Sequence, residues 1–136
     1  MGELIEITPD RQKANSMHRM ANTRLEMLST MDTVKYPSLV IEGYYEVLKE
    51  LITALTSLDG YKAKGEGAHK ILIEYVGESY KNEFCEADIY LLDELRRIRN
   101  KINYDGFFVK EEYVARNKKI IFEIIRKLNE IIEKRI

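Results

Sequence analysis

An all-α fold is predicted for this chain: an antiparallel up-down helical bundle of four longer helices and one short helix. Three features carry the expectation. Apolar residues recur at spacings of three and four along the long segments, the period of one helical face. Glycine or proline stands at the breaks, at Pro37, Gly60, Gly77 and Gly106. A hydrophobic content of 45% in 136 residues suits one domain, residues 1–136, with a sizeable core.

Residues 1–7 place Leu4, Ile5 and Ile7 around Glu6, an alternation too brief for a strand, so an extended arm is expected. No basic stretch leads into an apolar one there, and a signal peptide is not expected. Thr8-Pro9-Asp10 marks a helix start: a capping hydroxyl, a proline whose missing N–H costs nothing at the first position, and an acid near the positive end. The first helix then spans residues 9–31, with Ala14, Met17, Ala21, Leu25 and Leu28 as its apolar stripe. His18 lies beside the stripe with no second metal ligand at helical spacing, and packing or solvation accounts for it.

Pro37 confines Tyr36 to extended backbone. The helix expected over residues 38–59 is apolar around most of its circumference, which puts it at the centre of a bundle or in a dimer seam. Tyr44 and Tyr45 within it are expected to pack, with base stacking as the alternative use of such rings. Gly60 ends the helix, and YKAKGEG reads as a mobile connection without the GxxxxGK[ST] spacing of a phosphate loop. A short helix over residues 68–76 opens near His69, whose neutral form the positive helix end favours. Residues 77–83 form a polar link.

The helix over residues 84–104 carries two edges. Leu91, Leu95, Ile98 and Ile102 share an apolar stripe at about 100° per residue, and Asp93, Arg97, Asn100 and Tyr104 fall on the opposite face. Asp105-Gly106 is a helix stop, and Phe107 and Phe108 are expected to cover the bundle end beside Tyr104. A last helix over residues 110–135 uses Val114, Ile121, Ile124, Ile125, Leu128, Ile131 and Ile132.

RIRNKINYDG, following Leu92 and Leu95 in an LxxL pair, resembles the signature of the HEPN superfamily of small helical-bundle proteins. Upstream, YPSLVIEGYYEVLKELITALTSLDG followed by GAHKILIEYV is similar to that family's central helix with paired tyrosines, then a glycine, then a helix opening near a histidine. Active members of the family are metal-independent ribonucleases whose motif is an Arg, four to six residues, and a His, the two meeting across a dimer. Arg99 and Arg97 precede Tyr104 with four and six residues between. The resemblance therefore implies Arg97, Arg99, Asn100 and Tyr104 as catalytic residues, with Asp93 and His69 at the interface or in support.

Tyr104 is the departure, since the family's nucleases have imidazole there. A histidine near its ordinary pKa of about 6.5 can exchange a proton at neutral pH, as cleavage by an RNA 2′-hydroxyl requires. An ordinary phenol is ionised in about one molecule in a thousand at pH 7. The function implied is an RNA-associated toxin or defence-type component, cytoplasmic, homodimeric and working beside a small nucleotidyltransferase, with cleavage by the chain itself left open. In some family members that partner attaches AMP to a tyrosine near the motif, and Tyr104 is the comparable acceptor.

The alternative class is a non-catalytic dimeric interaction module, in which Asp93 of one copy pairs with Arg97 of the other across a two-fold axis. Charge and composition exclude more. A formal net charge of −1 supplies no global field for a polyanion, so any RNA contact must be local. One cysteine, Cys85, rules out an internal disulfide and a multi-cysteine zinc site. No apolar run approaches the length of a membrane span. Glu66 and His69 match half of a di-iron motif but span a glycine loop, and no cofactor is expected.

Overall fold

The structure, a computed structural model, describes residues 2–136. They are mostly helical and run in the order β1 (Glu3–Glu6), α1 (Arg11–Leu28), α2 (Pro37–Asp59), β2 (Tyr61–Lys64), α3 (Ala68–Ser79), α4 (Glu86–Asp105) and α5 (Glu111–Glu133). No helix among them is long and apolar enough to cross a membrane.

The chain is broadly all-α as expected, and two segments expected to be irregular form one added feature. The arm at residues 1–7 and the supposed mobile connection after Gly60 contain β1 and β2, which pair antiparallel with Glu3 opposite Lys64 and Glu6 opposite Tyr61. Gly60, at φ 84°, ends α2 in the left-handed region that glycine adopts freely and turns the chain straight into β2. The Ile7 N–H then donates to the Gly60 carbonyl at 2.9 Å, and the Asp10 N–H donates to the Ser57 carbonyl at 2.9 Å. Thr8 is thereby held in the strand's exit. Asp10, instead of Thr8, caps α1 by accepting from the Lys13 N–H at 2.9 Å.

α2 is the buried centre, as its apolar circumference requires, and packs against α1, α3, α4, α5 and β2. α1 runs antiparallel to it, with Asp10 against Ser57 at one end and Leu28 against Gly43 at the other. Midway, Arg24 forks onto the buried Glu50 carboxylate at 3.0 and 3.2 Å. α4 is also antiparallel to α2, since Arg99 meets Glu46 and the Val109 N–H just past α4 donates to the Ser38 hydroxyl. α5 is parallel to α2, with Phe122 near Tyr44 and Arg135 reaching Asp59. His18 bonds to Glu133 at 3.1 Å, tying α1 to α5. Tyr44 and Tyr45 are both buried, so packing occupies these rings.

Gly43 fixes the closeness of α1 and α2. A Cβ there would collide with both Leu28 methyl carbons, and Leu28 is itself buried. Gly43→Val is expected to cost roughly 1–3 kcal/mol through overpacking. The check is a lower denaturant midpoint at unchanged slope.

α3 extends past the expected stop at Val76 and through Gly77, which faces Ile89 of α4 at ordinary contact distance. Its end is held by the Tyr75 and Tyr80 hydroxyls, which donate to Asp59 at 2.5 and 2.7 Å. Those bonds outweigh a glycine's weak helix propensity. α4 starts with a reciprocal cap between Cys85 and Asp88 and stops at Gly106, φ 64°, where the Asp-Gly pair marks its end. Phe107 and Phe108 do not close the bundle end: they are 44% and 84% exposed, and Val109 is the residue that packs inward.

Candidate functional site

Two glycines shape one wall of the site. Gly65 and Gly67, at φ 87° and 83°, turn the chain from β2 into α3, and no side chain caps that helix. Across from them α4 presents Arg96, Asn100 and Tyr104, each four residues from the next and therefore on one face. Between the walls lies a cleft of about 440 Å³, lined by Gly65, Glu66, Gly67, Ala68, His69 and Lys70 together with Arg96, Asn100 and Tyr104.

His69 is half-buried, its ring 6.3 Å from that of the buried Tyr45. Burial, and then the charges of Lys49 and Arg99, push its imidazole below the ordinary histidine value, with Glu46 opposing. The neutral form therefore prevails at pH 7. Such a ring can accept a proton.

Arg96 brings the guanidinium. Its Nε donates to Asp93 Oδ1 at 2.9 Å and its Nη2 lies 2.9 Å from the same oxygen, while Arg97 Nε is 3.2 Å from Asp93 Oδ2. Asp93 is thus shared by two arginines of its own helix. A two-fold Asp93–Arg97 pair would have to displace bonds already made within one chain.

The expected residues separate into groups. His69, Asn100 and Tyr104 line one cleft; Arg97 is not among the residues that line it, is 51% exposed, and lies 6.0 Å from the Tyr90 ring. Arg99 does not line the cleft; its Nη2 lies 3.1 Å from Glu46 Oε1, and its charge still bears on His69, more than that of Arg96 does. With its amide nitrogen toward Glu42, Asn103 bridges that carboxylate and the Arg99 guanidinium. Burial works to raise Glu46, but the Lys49 hydrogen bond and the charges of Lys49 and Arg99 hold it below the ordinary carboxylate value. Arg99 thereby fastens α4 to α2. Tyr104 lines the cleft and is 81% exposed.

Arg96, which the motif spacing does not select, lines the same cleft. The signal for it is its spacing of four to Asn100 and eight to Tyr104, whereas Arg97 and Arg99 are the arginines that match the motif length. Among the described residues no group of three or more His, Cys, Asp or Glu side chains is arranged to hold a metal ion. Comparison with protein-family models, curated proteins and solved structures finds no match to this chain.

Proposed function

We propose that the chain is a HEPN-like antiparallel helical bundle that binds RNA and cleaves it without a metal, with His69 supplying the imidazole that the α4 motif lacks. The observation that carries this reading is the convergence of His69 with Arg96, Asn100 and Tyr104 on one cleft. Each has a role in transesterification. Neutral His69 takes the proton from a ribose 2′-hydroxyl as that oxygen attacks the adjacent phosphorus. Arg96 neutralises the charge gathering on the phosphoryl oxygens, with Asn100 as a further donor. The bond to the 5′-oxygen breaks, and the Tyr104 hydroxyl returns a proton to that leaving group. Water then carries a proton from the imidazolium back to the phenolate. The products are a 2′,3′-cyclic phosphate and a 5′-hydroxyl.

From the same resemblance come a homodimer and a toxin or defence-type role beside a nucleotidyltransferase, for which Tyr104 is sufficiently exposed to be an acceptor, and the single cysteine fits a cytoplasmic setting. The test is incubation of end-labelled RNA with the purified chain in excess chelator. Fragments ending in 2′,3′-cyclic phosphate are expected. Intact RNA at every protein concentration would remove the cleavage reading and leave a non-catalytic dimeric interaction module in its place.

A further inference from the structure

A second recess opens on the other side of α4. It encloses about 340 Å³ between the end of α4, the turn after Gly106 and the start of α5. That volume falls within the roughly 300–1,000 Å³ of small-ligand clefts. Its walls include Phe107, Phe108 and Tyr113, and its rim carries Lys101, Lys110 and Arg116 against a single acid, Glu112. In a chain of net charge −1 this is a local excess of positive charge.

Of the three rings, Phe108 is the open one, while Phe107 and Tyr113 each have a cation beside them. Phe108 is 84% exposed. Tyr113 has its hydroxyl committed to Glu94 at 2.5 Å, which fixes the ring beside Arg116. Burial, and then that hydrogen bond, hold its phenol protonated well above the ordinary range. Lys101 Nζ lies 5.7 Å from the Phe107 ring centre and Arg116 Cζ lies 5.6 Å from that of Tyr113, an interleaving of cations and rings.

We infer that this recess holds the unpaired base of a single-stranded RNA whose backbone crosses α4 into the His69 cleft. The inference rests on the RNA reading above and names its substrate class. Tyr104 lines the His69 cleft and Lys101 lines the recess; three residues apart, they are separated by only about 4.5 Å along the helix axis. A strand passing over that ridge meets both. Rim cations complement its phosphates, and a ring accepts any base that is free to leave its stack, which a duplex base is not. Base stacking on a protein ring of this kind changes affinity by about tenfold or more per base.

The experiment is fluorescence anisotropy with a labelled, unstructured RNA oligonucleotide and the same RNA annealed to its complement. Wild type, Phe108→Ala and Phe108→Tyr are compared, together with His69→Ala to prevent cleavage during the measurement. Because Phe108 is almost wholly exposed, its variants are expected to keep the wild-type circular dichroism. The expected result is tighter binding of the single strand than of the duplex, a loss of about tenfold in Phe108→Ala for the single strand only, and recovery in Phe108→Tyr. A 2-aminopurine base in the strand is expected to be quenched by wild type and not by Phe108→Ala.

Equal affinity for both RNAs, or an unchanged single-strand affinity in Phe108→Ala, overturns the inference. Binding that depends on Phe108 without cleavage by wild type leaves the inference standing and overturns the cleavage reading alone. Absence of binding to either RNA overturns both and assigns the aromatic face to a protein partner.

Discussion

His69→Ala is expected to slow metal-independent RNA cleavage by roughly 10²–10⁴-fold, the contribution of a positioned general base. His69 is the one imidazole in the cleft, because His18 is bonded to Glu133 between α1 and α5. The loss should fall on the rate of the bound complex and leave RNA affinity nearly unchanged, since a neutral ring contributes little charge to binding a polyanion. Single-turnover rates at saturating protein, set beside binding curves, check this. A loss confined to affinity would make His69 a contact residue only.

Arg96→Ala is expected to lower cleavage by about 10²-fold or more, the usual effect of removing one positioned donor to a developing oxyanion. Arg99→Ala is expected to behave differently. Arg99 spans α4 to α2, and its removal leaves Glu46 paired with Lys49 of its own helix, so the principal effect is a stability loss of about 1 kcal/mol. Below its denaturation midpoint the Arg99→Ala protein should still cleave. Measuring rate and denaturant midpoint for both variants separates the two roles: Arg96→Ala should move the first far more than the second. If Arg99→Ala were the inactive variant and Arg96→Ala the active one, the motif-spaced arginine would be the catalytic group despite its pairing with Glu46.

Helix content was legible in the sequence because it is a local property. The apolar circumference of α2 and the single stripe of α5 announce their burial through periodicity alone. What escaped were features whose partners are distant in the chain. Leu4 and Ala63 stand opposite one another in the sheet, but neither four-residue segment has enough alternation to declare itself without the other. The Thr8 hydroxyl lost its expected capping role because backbone bonds from Ile7 and Asp10 to the end of α2 set where α1 begins. Gly77 is a plausible stop until Tyr75 and Tyr80 are seen bonding to Asp59 on another helix.

The cleft was partly legible for the same reason. Asn100 and Tyr104 lie on one helix, and their spacing of four puts them on one face. Bringing His69 across to them requires the turn at Gly65 and Gly67 and the packing of α3 on α4, neither of which periodicity encodes. Choosing among Arg96, Arg97 and Arg99 requires knowing where Asp93 and Glu46 stand.

The most direct test of the cleft's chemistry is the pH dependence of single-turnover RNA cleavage in excess chelator, wild type against His69→Ala. Burial and neighbouring positive charge lower the His69 pKa, so its basic form persists as pH falls past the ordinary value of about 6.5. The wild-type rate should therefore hold through neutral pH and fall along an acid limb whose midpoint lies below about 6.5. His69→Ala should be slow throughout and lack that limb. An identical acid limb in both proteins would show that another group takes the 2′-hydroxyl proton, and would contradict the role given to His69.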